Sequence, residues 1–291
     1  METIGVIGAG TMGSGIAQVA AQFGHPVILY DVAQAYAERG LEKIRAALAR
    51  NVEKQRMERS DAEAALGLIT PTTDLSTMHA ARIAIEAAPE DIDLKRDLFA
   101  QLDRICPPES ILASNTSSLS IAALADATKR ADRVAGMHFF NPPPLMALIE
   151  VVRGDTFGSD ATIAALVDLA RRWGKTPVIA RDTPGFIVNR VARPFYLEAL
   201  KLLGEGVADV PTIDRIVRSA GFRMGPFELM DLIGIDVNYA VTQSVYNAFF
   251  QDARYRPHPI QQRMVESGRL GCKTGRGFYD YSATGETKAT P

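Results

Sequence analysis

The chain has 291 residues, 47% hydrophobic and 23% charged, which is enough for two domains and a large core. Its 32 basic and 34 acidic residues give a formal net charge of −2, so the broad positive field of a nucleic-acid or anionic-membrane binder is excluded. Two cysteines, no Cys/His cluster at metal-ligand spacing and no apolar run of about 18 residues argue against a disulfide scaffold, a metal site and a membrane-spanning helix. A reducing, cytoplasmic compartment is expected, and with Met1 close to the first apolar run no leader is expected.

Ile4, Val6 and Ile7 form a short run suited to a buried parallel strand. Gly8, Gly10 and Gly13 follow in G-x-G-x-x-G spacing. The first permits a sharp turn, the second lets backbone approach a pyrophosphate, and the third lets a helix pack closely on the strand. Thr11 and Met12 open that helix, where unpaired backbone N–H groups and the helix dipole attract phosphate. The helix is expected over Thr11 to Phe23, stopping near Gly24. A second strand, Val27 to Tyr30, ends at Asp31, 18 residues beyond Gly13. A carboxylate there accepts hydrogen bonds from ribose hydroxyls and repels a 2′-phosphate, and Val32 and Ala33 offer no Arg to hold one. A glycine turn without a ligand would need none of this. Strand, turn, helix and acid agree on a dinucleotide, and NAD is expected rather than NADP. A flavin uses a similar opening, but no second flavin motif follows.

A long amphipathic helix comes next, with Tyr36, Leu41, Ile44, Leu48 and Val52 at helical spacing. Its far end is basic, with Arg50, Lys54, Arg56 and Arg59, which reads as a solvated helix end. Ser60 and Glu63 fit a capping box for a short helix. Further strands are expected at Ile69 to Thr72, Ile83 to Glu86, Ile111 to Ser114, Val134 to Phe140, Leu148 to Val152 and Pro177 to Ala180. Between them lie a helix with Leu94, Leu98, Phe99 and Leu102 on one face, a short helix capped by Ser120, and a helix capped by Ser159 with Ile163, Leu166, Val167 and Ala170 inward. Beyond Asp182-Thr183-Pro184-Gly185 strand-like runs vanish. The expected fold is therefore α/β, a Rossmann-type, mostly parallel sheet domain over 1–183, followed by an all-helical domain over 184–291. The helix from Phe186 to Leu203 is apolar on most sides, so it is expected to be buried, and the excess suggests a subunit interface, or else a large core that hides it. Ala283 to Pro291 reads as a disordered tail.

Hydride transfer from an alcohol needs a base near the nicotinamide, and ligands of open α/β sheets sit at the carboxyl ends of strands. His138 is the one histidine of four placed in a strand near that crevice. It fits a proton acceptor, although a strand histidine is also at home as a hydrogen-bonded core residue. Glu150, on the next strand, can hold the other ring nitrogen, or serve as a strand-end salt bridge. Asn115 and Ser117 leave a strand as a polar turn, where they are either turn chemistry or hydrogen-bonding partners of nicotinamide and substrate. Asn189, on the first helix of the second domain, is either an exposed amide or a donor reaching across the interdomain cleft.

These stretches together resemble the 3-hydroxyacyl-CoA dehydrogenase family, especially its short 3-hydroxybutyryl-CoA dehydrogenases. The resemblance is carried by Gly-Ala-Gly-Thr-Met-Gly at 8–13, Ser-Asn-Thr-Ser-Ser at 114–118, His-Phe-Phe-Asn-Pro-Pro at 138–143, Asp-Thr-Pro-Gly-Phe-Ile-Val-Asn-Arg at 182–190, Gly-Pro-Phe-Glu-Leu at 225–229 and Lys-Thr-Gly-Arg-Gly-Phe-Tyr at 273–279. It implies NAD-linked interconversion of an L-3-hydroxyacyl-CoA and a 3-ketoacyl-CoA, with substrate between the two domains. His138 matches the family's catalytic base and Glu150 its carboxylate partner. Ser117 and Asn189 match residues that hydrogen-bond the substrate near the reacting carbon. Asn141 matches a residue near the His–Glu pair, and Glu90 and Lys95 match positions lining the NAD site. The helical domain matches a dimerisation domain, implying a homodimer. The loop after the long helix commonly reads Glu-Lys-Gly-Lys in relatives and contacts CoA. Here it is Glu53-Lys54-Gln55-Arg56, so Lys54 and Arg56 become partners for CoA phosphates while the glycine is lost. Two competing readings share the fold: a sugar-acid dehydrogenase of the gulonate type, which needs no CoA, and a non-catalytic NAD(H)-binding protein.

Overall fold

The apolar runs of the first 183 residues form strands, and the periodic stretches between them form helices. The computed structural model describes residues 1–281 and 288–289. In chain order the first unit, Met1–Thr183, comprises β1 (Ile4–Ile7), α1 (Thr11–Gln22), β2 (Val27–Tyr30), α2 (Gln34–Glu53), α3 (Arg59–Gly67), β3 (Ile69–Thr72), β4 (Ile83–Glu86), α4 (Ile92–Ile105), β5 (Ile111–Ser114), α5 (Ile121–Ala125), β6 (Val134–Phe139), β7 (Leu148–Arg153), α6 (Asp160–Arg172) and β8 (Thr176–Arg181). The second unit, Pro184–Pro291, contains α7 (Val188–Gly204), α8 (Val210–Ser219), α9 (Pro226–Ile233), α10 (Ile235–Ala248), α11 (Pro259–Glu266), β9 (Tyr279–Asp280) and β10 (Lys288–Ala289).

Eight strands form one sheet in the order β3-β2-β1-β4-β5-β6-β7-β8. Every pairing is parallel except β6 with β7. All residues of β1, β4 and β5 are buried, as expected of parallel strands covered on both faces. Pro71 is confined to β3, an edge strand, where a missing N–H costs no ladder bond. The chain leaves β1 for β2 on one side and meets β4 on the other, so a crevice opens at their carboxyl ends. The core joins Ile4, Val6, Ile16, Ile44, Leu48, Ile85, Met137, Leu166 and Trp173.

The second unit is built around Tyr196, Leu200, Ile213, Phe227, Met230, Ile235, Met264 and Phe278. Two buried carboxylates tie its loops to its helices. Asp214 accepts from the backbone N–H groups of Phe227 and Glu228, both at 3.0 Å, and from the Tyr279 hydroxyl at 2.8 Å. It thereby satisfies two orphan donors in the first turn of α9. Asp231 accepts from the backbone N–H groups of Phe278 and Tyr279, both at 2.9 Å, and from the Tyr281 hydroxyl at 3.1 Å.

Several expectations are corrected. The helix after the basic segment starts at Arg59 with Glu58 as its N-cap, so Ser60 lies inside the first turn and makes no capping box. Tyr36 and Leu94 face outward, 46% and 40% exposed; Tyr36 lies under Arg39 instead of in the core. The helix after Pro184 begins at Val188 and is not buried on most sides: Val191 is 68% exposed and Ile187, just before it, 43%. β6 stops at Phe139, one residue early, because the prolines that follow cannot extend a ladder. The second unit is helical as expected, with one short antiparallel pair, β9 with β10, beside its helices. Most of the expected tail at 283–291 lies outside the described residues, but Lys288–Ala289 stands in that short pair.

Candidate active site

The glycine turn is shaped by what a side chain would meet there. Gly8 has φ +104°, and a Cβ on it would lie 2.6 Å from the Ala87 carbonyl oxygen. A Cβ on Gly13 would lie 1.7 Å from the Gly8 carbonyl oxygen, so α1 packs directly on the turn. A Cβ on Gly10 would meet nothing within 4 Å. Gly10 and Thr11 are exposed and Met12 half-buried, so the backbone at the start of α1 faces open space with its N–H donors. Asp31 accepts from the Ala9 N–H and from the Val32 N–H, each at 2.8 Å. Each carboxylate oxygen keeps a further acceptor site, which suits a vicinal ribose diol. The turn and the carboxylate together fit a dinucleotide.

A buried polar network supports the neighbouring strand ends. Glu86, at the end of β4, is fully buried; its carboxylate accepts from Lys95 Nζ at 2.5 Å, the Ser114 hydroxyl at 2.6 Å and the Ala88 N–H at 2.6 Å. Lys95 is 1% exposed and spends its other donors on the Ala88 carbonyl at 3.2 Å and Glu90 at 3.4 Å. Glu90 in turn accepts from the Thr116 hydroxyl at 2.6 Å and the Ser117 N–H at 3.1 Å. Lys95 therefore reaches the crevice only through these carboxylates. Asn115 uses its side-chain oxygen to accept from the Phe139 N–H at 2.9 Å, which fixes the β5 turn against the residue after His138.

His138 and Glu150 are register partners across the antiparallel β6–β7 pair. The side chains of directly opposed residues point to the same face, so the imidazole meets the carboxylate: Nδ1 to Oε2 is 2.7 Å. His138 is 6% exposed and Glu150 fully buried, and the Phe140 ring lies 4.6 Å from the imidazole centroid. Asn141 follows this strand as an exposed residue. Asn189, in the first turn of α7, is half-buried in the second unit.

Lys54 and Arg56 are exposed at the C-terminal end of α2. Gly40 of the same helix abuts the glycine turn, its Cβ position 2.7 Å from Ala9 Cβ. Fourteen residues separate Gly40 from Lys54, about 20 Å along a helix. The structure thus gathers Glu90 with Ser117, Asn115 with the end of β6, and His138 with Glu150, and leaves Lys54 and Arg56 apart. Glu86 was not legible as a site residue; its only signal is an acid closing an otherwise apolar strand. Among the described residues, no group of His, Cys, Asp and Glu could hold a metal ion, and no helix is long and apolar enough to cross a membrane.

Comparison with known proteins accounts for both units. Residues 3–183 match the family model described as 3-hydroxyacyl-CoA dehydrogenase, NAD binding domain, and residues 185–281 match its C-terminal domain. The chain is 49% identical over 98% of its length to 3-hydroxyadipyl-CoA dehydrogenase of Escherichia coli, but spans only 60% of that protein. It is 41% identical over 97% of its length to the mitochondrial hydroxyacyl-coenzyme A dehydrogenase of Sus scrofa, spanning 91% of it. The crystal structure of (S)-3-hydroxybutyryl-CoA dehydrogenase from Ralstonia eutropha superimposes with a TM-score of 0.91 at 43% identity, covering 97% of this chain and all of that one. Matched in both of its units, the chain belongs to the 3-hydroxyacyl-CoA dehydrogenase family and is an NAD-dependent oxidoreductase.

Proposed function

We propose that the chain interconverts an L-3-hydroxyacyl-CoA, 3-hydroxybutyryl-CoA included, and the corresponding 3-ketoacyl-CoA, with His138 handling the proton. The observation that carries this reading is the buried His138–Glu150 contact of 2.7 Å at the end of the sheet. Bound NAD supplies the acceptor for the hydride leaving C3, and its reduced form the donor for the reverse step. With Nδ1 donating to Glu150, Nε2 is the basic nitrogen and takes the hydroxyl proton. Glu150 keeps the ring in that tautomer and offsets the charge it gains. In reduction, Nε2–H returns the proton to the nascent alkoxide, while Ser117 and Asn189 polarise the ketone oxygen.

Gly10, Thr11 and Met12 offer backbone donors to the pyrophosphate, with Gly8 and Gly13 shaping the turn and Asp31 accepting from the ribose. Glu90, Asn115 and Asn141 line the nicotinamide side, with Lys95 holding Glu90 in place. Lys54 and Arg56 hold the CoA phosphates. Exposed Ile216, Phe222, Leu232 and Val237 on the second unit support a homodimer through that unit. Cys106 and Cys272 are free thiols, in keeping with a reducing, cytoplasmic setting. The acyl groups named among the relatives differ, hydroxybutyryl in one and hydroxyadipyl in another, so selectivity is set away from the reacting carbon.

His138→Gln keeps the ring's approximate volume but cannot take a proton. Acetoacetyl-CoA-dependent NADH oxidation is expected to fall about a hundred- to ten-thousand-fold, with NADH affinity by fluorescence titration retained. Near-normal turnover in that variant removes His138 from the reaction. Wild-type turnover with gulonate and none with acetoacetyl-CoA would replace the CoA reading by the sugar-acid one.

A further inference from the structure

α7 carries a full charge where its pattern calls for an apolar residue. Arg193 is 3% exposed, and it lies four residues after Asn189, on the same face of the helix. Its Nη1 donates to the Asn238 carbonyl and to the Thr242 hydroxyl, both at 2.9 Å, and its guanidinium stacks 4.9 Å from the Tyr196 ring centroid. All three partners are uncharged. Among the described residues, no carboxylate comes within salt-bridge distance of Arg193. Burial lowers its pKa to about 10, so it remains a cation at neutral pH.

The surroundings also hold more donors than acceptors can use. Arg193 Nε is buried without a partner, and so is Asn238 Nδ2. Gln261 Nε2 donates to Asn238 Oδ1 at 2.7 Å, which leaves Gln261 Oε1 as the one unpartnered acceptor in the group. Asn238, Thr242 and Gln261 are each at most 1% exposed. A buried cation is retained when an anion neutralises it, and unpaired N–H groups beside it point to the same kind of ligand. Four residues rise about 6 Å along a helix. That is the reach of a carboxylate set a few methylenes beyond a carbon held at Asn189.

We propose that Arg193 anchors a carboxylate at the far end of the acyl chain, so that the preferred substrate is the CoA ester of a 3-hydroxy dicarboxylic acid. This rests on the function proposed above, with Asn189 beside the reacting carbon. Arg193 is a specificity residue; it takes no part in hydride or proton transfer.

The test compares kcat/KM for NADH-driven reduction of 3-ketoadipyl-CoA and of 3-ketohexanoyl-CoA, which has the same chain length and no terminal charge. Wild type is expected to favour the charged ester by about tenfold or more, because a site built for a polar group is left with unpaired donors by the analogue lacking it. Arg193→Met is expected to bring the ratio close to one, chiefly through KM for the charged ester, and Arg193→Lys to restore part of it. A wild-type ratio near one overturns the proposal, as does an equal loss on both esters in Arg193→Met, which marks a purely structural arginine. Should Arg193→Met not fold, competitive inhibition of wild type decides the matter: adipyl-CoA binding no tighter than hexanoyl-CoA overturns it. Reduction of neither ester, nor of acetoacetyl-CoA, would instead reject the underlying dehydrogenase reading.

Discussion

At Gln55 the backbone sits at φ +54°, in the left-handed region, just after α2 ends at Glu53. A side chain there costs roughly 1–2 kcal/mol, against which glycine loses about 0.5–1 kcal/mol in chain entropy. Gln55→Gly is therefore expected to raise stability slightly, by up to about 1 kcal/mol, read as a higher urea midpoint. A lower midpoint would mean that the glutamine side chain makes up for its backbone. The two thiols differ just as locally. Burial pushes the Cys106 thiol up to about 11, while Cys272 is exposed. A thiol reagent should label Cys272 in the native protein and Cys106 only on unfolding, since the thiolate is the reactive form. Labelling of Cys106 at a matching rate, followed by mass spectrometry, would contradict its burial. At this scale the sequence exposed Asp31, His138 and Glu150, because each stands at the end of a recognisable apolar strand or within one. It did not expose Glu86 or Arg193. A charged residue inside an apolar pattern carries no mark of which partner, nine or forty-five positions away, will meet it.

The β4 end, the β5 turn and α4 are held together by one buried ion pair. Removing the ammonium in Lys95→Met leaves the Glu86 carboxylate buried with only Ser114 and the Ala88 N–H as partners. Breaking such a pair on one side typically costs about 3–5 kcal/mol, so a large drop in the denaturant midpoint is expected. A loss below about 1 kcal/mol would place the pair among exposed, weakly contributing bridges. Elements were legible where periodicity met a stop signal. All eight strands of the sheet follow from short apolar runs, and Ser120 and Ser159 cap their helices as their positions suggest. The Ser60 cap failed because the chain enters α3 two residues earlier, at Glu58, a shift that composition does not encode. The outward face of α7 was misjudged for a different reason: apolar residues outnumber the positions the local core can cover, and Val191 is left in the open.

For the molecule as a whole, the Tyr279 phenol should contribute to a loss of stability at high pH, together with the phenols of Tyr281 and Tyr196, whose pKa values burial also raises. Burial and a hydrogen bond to Asp214 raise the Tyr279 pKa well above the usual phenol value. The unfolded chain releases that proton near pH 10, whereas the folded chain keeps it. The phenol's contribution is therefore fully present below about pH 10 and declines as pH rises beyond it, by about 1.4 kcal/mol per pH unit. Urea midpoints followed into the alkaline range should fall, and Tyr279→Phe should flatten the fall after an initial loss of about 1 kcal/mol. An unchanged slope in that variant would assign the alkaline loss elsewhere. Asp31 has a structural task besides the one proposed for it toward the cofactor. The carboxylate proposed to turn away a 2′-phosphate also accepts from the Ala9 amide and so holds the glycine loop in shape. A lineage drifting toward the phosphorylated coenzyme must first find another acceptor for that amide, or tolerate a loosened loop along the way. Selectivity of this kind is hard to rewrite by one substitution, and Asp31→Ala should lower the melting temperature of the cofactor-free protein before any change of coenzyme is tested.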